Sequence, residues 1–105
     1  MKRSERDAWV EALRSGKYQQ GRDRLRTNDE YCCLGVLCDL KDPSAWRDLT
    51  YYGAYFHGDD LMFPGEQLSG LDHEIESRLS RMNDNGKSFA EIADWIEANI
   101  PVEED

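Results

Sequence analysis

The sequence predicts an α+β, helix-rich fold: a single small domain with a central buried helix, a C-terminal helical hairpin and minor β-hairpin elements. Three observations predict it. The chain has 105 residues, enough for one real core and too few for two. The stretch Tyr31 to Leu40, YCCLGVLCDL, is its densest apolar run. Two segments with helical apolar spacing then follow one another near the end, separated by the tetrad Asn83 to Gly86, NDNG.

The central run has apolar side chains at 31, 32, 33, 34, 36, 37, 38 and 40, too continuous to leave one helical face polar. A helix over Leu34 to Leu40 must therefore be covered on nearly all sides, with Tyr31 to Cys33 extended. A buried strand is the competing assignment, because periodicity does not decide so short a segment. Gly35 costs a helix interior about 1 kcal/mol relative to alanine. That cost is tolerable if the glycine lets another element approach the backbone closely.

In chain order, Ser4 and Asp7 fit a capping box for a first helix that carries Trp9, Val10 and Leu13 on one side and ends at Ser15 and Gly16. Lys17 to Arg26 alternates loosely, and a strand there would present Arg22, Arg24 and Arg26 on one face. Gly21 marks a bulge or close contact, and Thr27 to Glu30 reads as a turn. Asp42 and Pro43 take the N-cap and N1 positions of a short helix that buries Trp46. The segment Thr50 to Phe63 is aromatic and β-prone, with His57 to Asp60 as a hairpin loop, or else an irregular stretch laid over the core. Ser69 and Asp72 can cap a helix with Leu71, Ile75, Leu79 and Met82 on its stripe, stopped by NDNG. Ser88 with Glu91 boxes the start of the last helix, whose buried stripe is Phe89, Ile92, Ala93, Ile96 and Ile100. Residues 101–105 form an acidic tail, expected to be mobile.

The formal net charge is -9, which argues against nonspecific affinity for phosphate backbones or anionic membranes. The charge is polarised along the chain. Residues 1 to 26 hold eight Lys or Arg against four Asp or Glu, a balance of +4, and the remainder holds five against eighteen, a balance of -13. Folding can bring the two parts together as internal ion pairs. Otherwise the basic part stays open to an anion, or the acidic part to a basic partner.

No stretch is long and apolar enough to cross a bilayer, and MKRSERDAWVEALRSG lacks the apolar centre of a signal peptide. A cytoplasmic location is expected, with Cys32, Cys33 and Cys38 as reduced, buried thiols. Their spacing contains no CxxC pair, and NDNG fails as a calcium loop because Arg81 stands where an aspartate is needed. Asp39 with Asp59 and Asp60 could meet around a divalent ion, but carboxylates near a turn are ordinarily solvated. Thiol chemistry would need one of the cysteines to meet His57 or His73, and acid–base chemistry would need Asp39 beside Asp59 or Asp60. Neither pairing is linked by spacing. The pattern assigns no catalytic residue, no metal and no cofactor.

Two candidate binding surfaces are left. Arg14, Lys17, Tyr18, Gln20, Arg22, Arg24 and Arg26 combine guanidinium forks with an aromatic ring and an amide, a set suited to a nucleotide or other small anion if its cations are not spent internally. Glu91, Asp94 and Glu97 give the last helix an acidic outer face with only Lys87 before it. Such a face repels phosphates and argues against duplex DNA. It is a solvated surface or one made for a basic protein. The aromatics Tyr51 to Phe56 and Trp95 also allow an apolar surface shared by two copies, so monomer and homodimer both stay open.

The segments WVEALRSGKYQQG, YCCLGVLCDL and MNDNGKSFAEIADWIE give the chain a resemblance to a family of small proteins of tailed bacteriophages and prophages. The resemblance falls at Trp9, Leu13, Arg14 to Tyr18, Gln20 and Gly21, then Tyr31 to Asp39, then Asn83 to Glu97, and little of it lies in 41–71. It brings no catalytic role with it. It implies action in the host cytoplasm, counter-defence included, by stoichiometric binding of a host protein or a signalling nucleotide. The leading expectation is a non-enzymatic protein that binds a host protein through its acidic surface. Sequestration of a nucleotide or small anion by Lys17 to Arg26, and a small hydrolase using Asp or Cys/His chemistry, are the alternatives.

Overall fold

The computed structural model describes residues 1–48, 54–57 and 71–105. Its order is α1 (Arg3–Arg14), β1 (Gln19–Gln20), β2 (Arg26–Thr27), β3 (Glu30–Tyr31), α2 (Cys33–Lys41), a 3-10 turn (Pro43–Ala45), β4 (Trp46–Asp48), β5 (Ala54–His57), α3 (His73–Asp84) and α4 (Phe89–Asn99). This is the expected α+β, helix-rich domain.

The apolar run forms a helix preceded by extended chain. Tyr31 lies in β3, Cys32 is the N-cap of α2, and every residue from Cys33 to Cys38 is buried. α2 packs against α1, α3, the 3-10 turn and β3. Gly35 has the role its position suggested: a Cβ there would sit 1.8 Å from the Leu25 carbonyl oxygen, so only glycine lets that backbone lie against the helix. α1 adds Trp9, Val10 and Leu13 to the core, and its most extensive partner is α4, whose Phe89, Ile92, Ala93 and Ile96 are buried. The Trp9 indole donates to the Cys33 carbonyl at 2.9 Å and so ties α1 to the first turn of α2.

Local signals set the ends of α3 and α4. The Asp72 carboxylate accepts from Ile75 N–H, Gly86 takes φ 99 beyond α3, and Ser88 with Glu91 completes both halves of a capping box. The start of α1 departs from expectation. Its N-cap is Lys2, with no side-chain cap, and Ser4 and Asp7 form no box. The reason is tertiary: Lys2 bridges Glu103 in parallel, so the helix begins two residues early, and Ser4 N–H and hydroxyl donate to the Asp105 carboxylate instead. Asp7 pairs with Arg6. Residues 103–105 thus line the first turn of α1, where Arg3 also meets Glu104.

The strands form a five-stranded mixed sheet in the order β1-β3-β2-β5-β4. β1 runs parallel to β3, and every other pairing is antiparallel. Lys17 to Arg26 is not one strand. Its two ends, Gln19–Gln20 and Arg26–Thr27, enter the sheet on either side of β3, and 21–25 loops between them. Only Asn28 and Asp29 form the turn between β2 and β3, with Asn28 in the left-handed region at φ 53. Asp42 and Pro43 begin the 3-10 turn as expected, and Trp46 behind it is half-buried. β5 pairs antiparallel with β4 on one side and with β2 on the other. The loop expected at His57 to Asp60 and the capping role of Ser69 lie outside the described residues, apart from the His57 backbone in β5.

Candidate functional site

The two surfaces singled out by residue type meet in the fold. Arg14, at the end of α1, reaches α4 and places its guanidinium 2.6 Å from Asp94 and 3.2 Å from Glu97. These hydrogen bonds, to Glu97 foremost and then Asp94, push its pKa upward. Glu91 has a local partner as well: its carboxylate accepts from Ser88 N–H in the capping box, which holds it below the usual carboxylate range. Asp94 and Glu97 remain exposed on the outer face of α4.

Most of the basic segment is committed. The Tyr18 hydroxyl donates to Asp39 at 2.6 Å, and burial followed by that carboxylate raises its pKa strongly. Asp39 also accepts from the Trp46 indole at 2.9 Å. Tyr31 meets Tyr18 and Trp46 edge-on, and Arg26 stacks on Tyr31 and Trp46 while donating to the Asn28 carbonyl. Gln20 gives its amide to Asn83 and to the Lys87 carbonyl. Arg22, Arg24 and Lys17 are exposed, with no side-chain bond among the described residues. The expected face of three arginines on one strand is therefore absent: Arg22 and Arg24 sit on a loop, and Arg26 is stacked.

Between α1 and α4 lies an open groove of about 550 Å³, lined by Arg6, Asp7, Val10, Glu11, Arg14, Ser15 and Glu97. Asp7, Glu11 and Glu97 outnumber Arg6 and Arg14 on its rim, Asp94 stands beside it, and both arginines already have carboxylate partners. Glu11 is exposed and has no partner among the described residues. Reading residue types along the chain did not reveal this groove. The pair Asp7 and Glu11 is far in sequence from the pair Asp94 and Glu97, and the signal for their meeting is that α1 and α4 each carry an acidic edge beside an apolar stripe.

Asn83 was also missed, because it read only as part of a stop signal. It is fully buried. Its carbonyl oxygen accepts from Cys33 N–H at 3.2 Å and Gln20 at 3.0 Å, and its amide donates to the Gly21 carbonyl at 2.8 Å. The available signal was its place four residues beyond Leu79 on the apolar stripe of α3.

The three thiols are free and buried, and desolvation pushes Cys32 up to about 11, Cys33 well above its usual value and Cys38 in the same direction. A thiol reagent is expected to label the native protein at least about a hundredfold more slowly than the unfolded chain, since reaction must wait for opening. The unfolded chain releases these protons first, from about pH 8.5. The stability that their burial contributes is therefore expected to be constant below that pH and to fall as pH rises toward 11. A denaturant midpoint unchanged between those limits would contradict burial of the thiols. Among the described residues no three His, Cys, Asp or Glu converge to hold a metal, and no helix is long and apolar enough to cross a membrane. His73 is exposed at the start of α3, whereas all three thiols are buried. Asp59, Asp60 and the side chains of His57 and Tyr51 to Phe56 lie outside the described residues. Trp95 is half-buried with Arg78 over its ring.

A family model described as "Domain of unknown function (DUF8296)" matches residues 1–74. The match runs through 41–71 and stops before the Asn83 to Glu97 segment. No curated protein and no solved structure matches the chain.

Proposed function

We propose that this chain, which belongs to the DUF8296 family, is a non-enzymatic binding protein that takes a basic stretch of another protein into the acidic groove between α1 and α4. The observation that carries this reading is the groove rim, where Asp7, Glu11 and Glu97, with Asp94 beside them, face Arg6 and Arg14 and Glu11 has no partner among the described residues. An acidic rim steers a basic partner toward it and disfavours acidic ones. The Arg14 pairs are surface ion pairs, worth about 0 to 1 kcal/mol. A partner's Lys or Arg can therefore take over Asp94 or Glu97 at little cost. Burial of all three cysteines favours binding over thiol chemistry. The resemblance to tailed-phage and prophage proteins makes the partner a host protein and the setting the host cytoplasm, with counter-defence as the consequence of binding.

The test is affinity capture from bacterial lysate beside Glu11→Lys. Glu11 is exposed and makes no bond, so its reversal is expected to change stability by less than about 0.5 kcal/mol. One polypeptide should be retained stoichiometrically at about 0.1 M salt and released near 0.5 M. Its retention should drop at least about tenfold with Glu11→Lys. Retention that ignores this substitution, or no retention at all, would reject the groove as a binding site.

A further inference from the structure

The loop between β1 and β2 is fastened at four points. Gly21 N–H donates to the Tyr31 carbonyl at 2.8 Å, and the Gly21 carbonyl accepts from Asn83 at 2.8 Å. Asp23 N–H donates to the Asp84 carboxylate at 3.0 Å, and the Leu25 carbonyl accepts from Cys32 N–H at 3.1 Å. Its middle residue, Asp23, is held in the left-handed region at φ 67, a conformation that costs a non-glycine residue on the order of 1 kcal/mol. The neighbours of Asp23 are Arg22 and Arg24, both exposed and neither bonded among the described residues. A backbone strained and fastened in this way keeps the stems of two unspent guanidinium groups at the surface.

Arg22 lines an open cleft of about 580 Å³ with Gln20, Gly21 and Glu30. Gly21 lets the walls come this close: a Cβ there would lie 2.9 Å from Glu30 Cβ. Glu30 lines the same cleft as Arg22, yet the two form no ion pair, and Glu30 has no side-chain partner among the described residues. Gln20 is already satisfied by Asn83 and Lys87. A cation and a carboxylate that share a cleft without meeting leave one group for an anion and the other for hydroxyl donors.

We propose that this cleft binds a small phosphate ester that carries vicinal hydroxyls, a ribonucleotide in chemical class. Arg22, supported by Arg24 on the same loop, takes the phosphate through its planar fork, and Glu30 accepts from the sugar hydroxyls. The fastened loop lowers the ordering cost of binding. The carboxylate sets the specificity, because a bare anion gains nothing from it and is repelled. This site is independent of the α1/α4 groove, and of the earlier basic set it uses only Arg22 and Arg24, since Arg14, Tyr18, Gln20 and Arg26 are engaged elsewhere.

The experiment is calorimetric titration of the full chain with AMP and, separately, with inorganic phosphate. Saturable binding of AMP is expected, at least about tenfold tighter than phosphate. Arg22→Ala should weaken AMP at least tenfold, Glu30→Gln should weaken AMP while leaving phosphate unchanged or slightly improved, and Glu11→Lys should alter neither. The denaturant midpoint of each variant shows that the fold is intact. No saturation with AMP, equal affinity for AMP and phosphate, or full AMP binding by a folded Arg22→Ala protein would each overturn the proposal.

Discussion

Gly35→Ala is expected to destabilise the protein by about 3 kcal/mol or more, although alanine is the better helix former by about 1 kcal/mol. The new Cβ would fall 1.8 Å from the Leu25 carbonyl oxygen and 2.8 Å from its carbon, distances that no rotamer change relieves because both atoms are backbone. Leu25 has little room to yield. Its carbonyl accepts from Cys32 N–H, and the next residue, Arg26, is paired with Tyr31 and Tyr55 in the sheet. Either the loop leaves α2 and abandons those bonds, or α2 shifts against α1 and α3. For a domain of this size the loss corresponds to a melting temperature lower by roughly 12 °C or more. Thermal and denaturant unfolding measure it directly. A Gly35→Ala protein as stable as the parent, or more so, would mean that the loop does not lie on the helix.

Asn83→Ala carries the second largest effect, about 3 kcal/mol. The loss leaves the buried Cys33 N–H without its acceptor and the Gly21 carbonyl without its donor, at about 1 to 3 kcal/mol for each such group. Gln20 still has the Lys87 carbonyl, so its share is small. Asn83→Asp separates the two halves of the role. It keeps the acceptor, but when ionised it turns a carboxylate oxygen toward the Gly21 carbonyl and buries a charge beside Asp84. Its folded-state pKa must therefore lie above the unfolded value, so protonation favours folding. The Asp variant should be least stable at neutral pH and regain stability as pH falls toward about 4, a trend Asn83→Ala cannot show. Denaturant midpoints for both variants across that range decide it. A flat profile for Asn83→Asp would place residue 83 in contact with water.

The parts of the fold legible in the sequence are those whose causes are local. Asp72, Ser88 with Glu91, and Gly86 act within one turn of the helix they bound, and the apolar run around Val36 declares its burial by composition alone. The cause was not local where the reading failed. The first helix starts at Arg3 because the chain returns 101 residues later to bond Ser4 through Asp105. The segment 17–26 alternates like a strand, but its middle is held by Asn83 and Asp84, 62 and 61 positions from the residues they bond, and by Cys32 beyond the next turn. The same holds for the candidate sites. Residue type marked Arg14 as an anion binder and Asp94 with Glu97 as a basic partner's target, and only the packing of α1 on α4 shows that they satisfy one another in part. Arg22 and Arg24 keep their availability, being exposed on a loop and making no side-chain bond among the described residues.

The pairing of α1 with α4 has a consequence for how the molecule is made. Arg14 finds Asp94 across 80 positions, so α1 meets its most extensive partner only after α4 has been synthesised. At about 5 to 20 residues per second that interval is on the order of ten seconds, during which Trp9, Val10 and Leu13 have α2 to pack on but not the helix that covers most of their face. A nascent chain arrested before residue 89 should therefore be protease-sensitive and a chaperone client throughout α1, and emergence of α4 should abolish both properties together.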